Sequence, residues 1–124
     1  MKIKKEEIKV LMEAPGTIMR AMEGLGGFTV GYHELPKGTD TTPLLKGLAN
    51  DSCHSPHWGY LFDGMVRVIY DDGKEELINA GDAFYMPPGH TVIVEKNAKL
   101  FDFSPTKELN EVLENVGKRM AELS

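Results

Sequence analysis

Cysteine is nearly missing from this 124-residue chain: Cys53 stands alone, so no intramolecular disulfide framework can staple the fold. Long apolar runs are missing too, and none approaches the length of a bilayer span. Positive charge is in deficit, with 14 Lys and Arg against 19 Asp and Glu and a formal net charge of −5. That balance argues against a nucleic-acid or anionic-membrane surface. The basic residues Lys2, Lys4 and Lys5 are not followed by an apolar core, so no secretory signal is read and a cytoplasmic location is expected. There is no internal repeat, no Ser-centred nucleophile elbow, and the glycines between Gly24 and Gly27 lack the strand-then-helix order of a phosphate loop. What is there is an ordinary globular mixture, 41% hydrophobic and 27% charged. It suffices for one core, and one domain over residues 1–124 is expected.

The hydrophobic pattern is mostly of period two. Residues 4–12 read as a short helix or an edge strand, residues 17–23 as a weak strand and residues 28–35 as a firmer one, rich in aromatic and β-branched types. Residues 36–56 form a long irregular segment, and such loops in small domains tend to be functional. Short strands follow at 58–62, 65–70, 74–79, 83–86, 90–95 and 99–103. Turns are read at Asp63-Gly64, Asp72-Gly73, Gly81-Asp82 and Pro87-Pro88-Gly89. Strands this short, with turns every 8–12 residues, predict an all-β sandwich or barrel. The tail changes period. Ser104 is placed to cap a helix with Pro105 at its first position. Leu109, Val112, Leu113, Val116, Met120 and Leu123 then give an apolar stripe, predicting an amphipathic helix over residues 105–123.

The candidate chemistry lies in two blocks. One runs from Asp51 to Gly64 and holds Cys53, His54 and His57; the other runs from Gly81 to His90. Three of the four histidines and the one thiol fall there, and such donors suit zinc, iron(II), nickel or copper better than calcium or magnesium. His33 stands apart on the strand of residues 28–35 and reads as structural, unless that strand faces a cavity. Tyr32, Glu34, Tyr60, Tyr85 and Glu95 are candidate partners for ligand N–H groups. Trp58, Tyr60 and Phe62 alternate along one strand face and read as core or interface.

These blocks resemble the two motifs of the cupin superfamily. Gly81, Pro87 and Gly89 match the frame of the second motif without a gap, and Gly64 lies seven residues after His57, where the first motif has its glutamate. Cys53 and Asp51 stand where that motif has its two histidines. The second motif's histidine falls at Val92, while the chain has His90, two earlier and on the same strand face. The Pro56-His57-Trp58-Gly59-Tyr60 and Tyr85-Met86-Pro87-Pro88-Gly89-His90 runs are similar to those of small bacterial single-domain cupins. The resemblance implies a jelly-roll β-barrel (double-stranded β-helix) over about residues 28–104 with the helix appended.

It further implies a divalent transition metal of the zinc, iron or nickel type, held by Cys53, His57 and His90 with one position open to a small molecule. Asp51 is a further candidate ligand, and His54 competes with His57. Metal-dependent dioxygenase, isomerase or lyase chemistry is one reading. A metal-free module that binds or senses a small molecule is the other. An exposed sheet edge and the apolar face of the terminal helix predict a homodimer.

Overall fold

The computed structural model describes residues 1–123. After a short 3-10 turn at Lys5–Glu7, the chain runs β1 (Val10–Ala14), β2 (Thr17–Leu25), β3 (Phe28–Leu35), α1 (Thr42–Leu45), β4 (His57–Tyr70), β5 (Glu75–Asn79), β6 (Ala83–Met86), β7 (His90–Pro105) and α2 (Thr106–Leu123). The strands pair antiparallel in the order β1-β2-β3-β7-β4-β5, with β6 also on β4. β1 and β2 precede residue 28 and extend the sheet at its β3 edge.

Two long strands replace four of the expected short ones. Asp63-Gly64 is not a hairpin turn but an irregularity inside β4, which continues to Tyr70 and stays paired with β7 on both sides of it. The runs 90–95 and 99–103 are likewise one strand. The register slips between Leu61 and Val66 opposite Lys96 and Lys99, so both strands bend at the same level. Gly64 makes the bend possible: its φ is +91°, and a Cβ there would collide with the carbonyl oxygens of Lys96 and Asn97. The Asp72-Gly73 hairpin forms as its sequence predicts, with the Tyr70 N–H donating to the Lys74 carbonyl at 2.9 Å.

Beyond and around this bend Leu61, Val66, Val68, Ile78, Met86, Val94, Ala98 and Leu100 form the main core. Each large aliphatic side chain there is worth roughly 1.5–3 kcal/mol over an exposed one. The helix α2 spends its first turns on its own chain. Val112 packs with Leu45 and Cys53. The Asn115 amide donates to the carbonyls of Leu44 and Lys46, both at 3.1 Å, and Arg119 Nε donates to the Pro43 carbonyl at 2.8 Å. Ser104 does not cap this helix. It sits within β7, buried, and the helix start is tied instead by Thr106 N–H to the Gly27 carbonyl and by the Thr29–Thr106 hydroxyl pair at 2.8 Å. Pairing to β3 continues through Pro105, which holds Ser104 in extended backbone.

Gly64→Ala is expected to lower unfolding free energy by about 3 kcal/mol or more, since it joins left-handed strain to a backbone collision. Gly24→Ala, at a similar φ of +88° but with open space around it, is expected to cost only about 1–2 kcal/mol. Urea denaturation of both variants reads the difference.

Candidate metal centre

The loop of residues 36–56 is laid along the edge of β7 that β3 leaves free. Thr41 N–H donates to the Val92 carbonyl at 3.0 Å, and Val92 N–H returns to Thr41 Oγ1 at 2.9 Å. Asn50 and Asp51, with φ of 58° and 52°, swing the chain inward. Cys53 then pairs with the start of β7: its N–H donates to the His90 carbonyl at 2.8 Å, and its carbonyl accepts from Gly89 N–H at 2.7 Å. The thiol is thereby carried to His90 by backbone pairing alone. His57 arrives from the other side, as the first residue of β4.

The side chains of Cys53, His57 and His90 converge, with one donor atom of each lying within 4.8 Å of the others. Cys53 Sγ is 3.4 Å from His57 Nε2, and the two imidazoles meet edge to face with centroids 5.1 Å apart. Both rings are fixed through Nδ1. His57 Nδ1 lies 2.6 Å from Ser104 Oγ, and His90 Nδ1 donates to the Pro87 carbonyl at 2.7 Å. Because Pro87 offers only an acceptor, His90 carries its proton on Nδ1 and keeps the Nε2 lone pair for the cluster centre; His57 has the same freedom when its Nδ1 donates to Ser104 Oγ.

The other candidates fall elsewhere. Asp51 is exposed, and its carboxylate accepts the Gly47 N–H at 2.9 Å, closing its own loop. His54 is not part of the cluster, and its Nε2 is buried without a partner. None of the five expected partners reaches the cluster. Tyr32 bonds Glu34, Glu95 bonds Arg67, and Tyr60 and Tyr85 belong to the opposite sheet face, because strand parity turns them away from His57. The partners in place are Ser104 on His57 and the Pro87 carbonyl on His90, with the Asp102 carboxylate alongside at 3.9 Å from His57; neither Ser104 nor Asp102 was expected here from the sequence. The signal was present: Leu100, Asp102 and Ser104 alternate with Phe101 and Phe103, so a charge and a hydroxyl take the inward positions of an otherwise apolar strand.

Three rows of residues line this inner face: Thr29, Ser104 and His57; Gly31, Asp102 and Gly59; His33, Leu100 and Leu61. Asp102 thus sits between two glycines, with His33 Nε2 at 3.7 Å and His57 Nδ1 at 3.9 Å from its oxygens. Burial favours the protonated acid, yet the facing His33, His57 and His90 outweigh it and hold the carboxyl below its usual range. Burial pushes the Cys53 thiol up to about 11, with the Asp102 charge adding to it. Burial, then the proximity of His57, brings His90 down to about 4.

No family model matches the sequence, and no curated protein matches it. Among solved structures the chain is similar to an RmlC-like cupin from Shewanella frigidimarina, with TM-score 0.56 and 19% identity over 81% of this chain and 86% of that one. It is similar to a polyketide cyclase from Streptomyces resistomycificus, with TM-score 0.56 and 16% identity over 85% and 78%. An oxalate decarboxylase from Lactobacillus farciminis aligns with TM-score 0.60 and 16% identity over 83% of this chain, which spans 32% of that longer protein. At such identities the likeness defines the fold: an antiparallel jelly-roll of the cupin type, followed by a helix.

The metal-free protein is expected to lose stability as pH falls from about 6.5 to about 4. In that window the unfolded His90 takes up a proton and the folded one does not; above it both are neutral, and below it both are charged. The loss is on the order of 3 kcal/mol, read as a falling urea midpoint that His90→Gln flattens.

Proposed function

We propose that Cys53, His57 and His90 hold a divalent transition metal of the zinc, iron or nickel type, and that a small molecule binds at its open position. The observation that carries this reading is the convergence of three soft or borderline donors within 4.8 Å, both imidazoles being held through Nδ1. Cys53 Sγ and His57 Nε2, 3.4 Å apart, stand at a spacing that two bonds of about 2.0–2.3 Å to one ion span. A metal so bound polarises a carbonyl or carboxylate, or activates dioxygen. The chain's own contribution is to orient His57 through Ser104 and His90 through Pro87, with the apolar core of Leu61, Leu100 and Phe84 beginning beyond them. Structures of the same fold include proteins named for reactions on small molecules, a polyketide cyclase and an oxalate decarboxylase. Chemistry of isomerase, lyase or dioxygenase type is the corresponding reading here.

A rival reading has one observation in its favour. The 3.4 Å contact between Cys53 and His57 gives both groups a partner without any ion, as a metal-free binding module requires. Elemental analysis separates the two. About one zinc, iron or nickel per chain is expected, lost in Cys53→Ser, His57→Ala and His90→Ala and kept in His54→Ala. Ser104→Ala is expected to weaken metal binding by about 10–100-fold through loss of the His57 orientation. A folded protein that takes up no metal from supplemented medium leaves the metal-free module standing.

The reading includes a homodimer, for which the outer sheet face offers the surface. Eight of the ten aromatic residues lie on that face. Phe28, Trp58 and Tyr85 form an exposed ridge of ring contacts, with Trp58 at 42% exposure. Beside it runs a groove of about 730 Å³, with Phe62 and Phe103 on its walls and Lys99 and Asp63 among its charged residues. A two-fold axis sets ridge against groove and lets Lys99 of one copy face Asp63 of the other. Trp58, the sole tryptophan, reports the contact. Its emission is expected to shift to the red on dilution, and Phe62→Glu to weaken the dimer by about tenfold or more in light scattering. A wild-type monomer at high concentration overturns the dimer.

A further inference from the structure

The inner face carries one charged group that the metal trio does not use. Asp102 lies next to the cluster, and the imidazoles that face its carboxylate approach it only at lengths beyond a full hydrogen bond. The nearest, His33 Nε2 and His57 Nδ1, stand off at 3.7 and 3.9 Å, and His57 Nδ1 is already engaged by Ser104 at 2.6 Å. A carboxylate inside a barrel normally recruits two or three donors, and leaving it short of them is costly. Here the fold does more than tolerate it. Gly31 and Gly59 flank Asp102 on both neighbouring strands, and a Cβ on Gly31 would come within 2.6 Å of both Asp102 Oδ1 and His33 Nε2. At Gly31 a side chain is omitted where one carboxylate and one imidazole occupy the space; at Gly59 the room is taken by the Phe101 carbonyl and the Phe84 ring. His33, His57 and Asp102 keep 15%, 13% and 16% of their side chains accessible, so none of the three is sealed from solvent. His33 Nδ1 is buried and unpartnered, which leaves Nε2 as the ring's working atom toward Asp102.

We propose that Asp102, backed by His33, is a second anchor for the bound small molecule, accepting a hydrogen bond from a hydroxyl or N–H that lies next to the molecule's metal-binding oxygen. The inference rests on the metal reading above and narrows it. The barrel then takes ligands in which an oxygen ligand and a hydrogen-bond donor are adjacent: α-hydroxy acids, enediols, hydroxamic acids. Ligands that offer the oxygen alone bind without this contact. The thiolate of Cys53 and the carboxylate of Asp102 also place two negative charges near the open position, which disfavours a dianionic ligand and favours one that brings a proton to Asp102.

The test uses the cobalt(II)-loaded protein, whose visible absorption reports both metal occupancy and ligand binding, and two probes with one chelating group. Acetohydroxamic acid carries the N–H; N-methylacetohydroxamic acid does not. Wild-type protein is expected to prefer the first by about tenfold to a hundredfold, the range of a hydrogen bond to a charged acceptor. Asp102→Ala is expected to erase that preference while retaining the affinity for the N-methyl probe. Gly31→Ala leaves every metal donor in place and displaces the carboxylate from its seat, and is expected to erase the preference too, which keeps the test open should Asp102→Ala not fold. Cobalt bound with no preference in wild type, or a preference that survives in both variants, overturns the proposal alone. A folded wild-type protein that takes up no cobalt overturns the metal reading and this one with it.

Discussion

The backbone pairing between Cys53 and His90 is the constraint on which the site depends. Two short hydrogen bonds, Cys53 N–H to the His90 carbonyl and Gly89 N–H to the Cys53 carbonyl, extend β7's ladder onto a loop. A thiol at the tip of an irregular segment would otherwise cost conformational entropy each time it met the imidazoles. Pinned as a rung of the sheet, it meets them with the entropy already spent in folding. The left-handed turn at Asn50 and Asp51 and the Asp51 closure of Gly47 serve that placement.

The second constraint is an inversion of the usual pattern. At the β3–β7–β4 crossing, charged and polar groups face inward and aromatic rings face outward. Leu61 and Leu100 mark the boundary, for beyond them the interior is apolar as expected. A reversal of this kind, confined to one end of a barrel whose remainder obeys the rules, is where function is to be looked for. It also accounts for the shape of the strands. The bend at Gly64 lets β4 and β7 serve the polar end with one half and the apolar core with the other.

The sequence made the fold class legible through its turn chemistry and alternation, and β3 was read at its observed limits. The bend in β4 was not, because Asp-Gly is a hairpin signal by local chemistry and only the continuous pairing to β7 overrides it. The trio could be named because Cys53, His57 and His90 are rare residue types clustered in glycine- and proline-framed blocks. Ser104 was misread since a Ser-Pro pair before an amphipathic stretch is a good helix start, and nothing local reveals that the strand pairing reaches Pro105. Asp102 escaped, and His33 was left open between a structural role and a place facing the cavity, because neighbourhood across strands is a property of register, which a single chain does not display.

The clasp between α2 and the loop has a thermodynamic corollary. Asn115 and Arg119 grip the carbonyls of residues 43–46 at the surface, and the same loop ends in Cys53 inside. Linkage is reciprocal: whatever binds the thiol also holds the helix down, and whatever frays the helix loosens the grip on the thiol. Val112 of the same helix packs on Cys53, so the C-terminal segment belongs to the thiol's surroundings twice over, through the loop it grips and by direct contact.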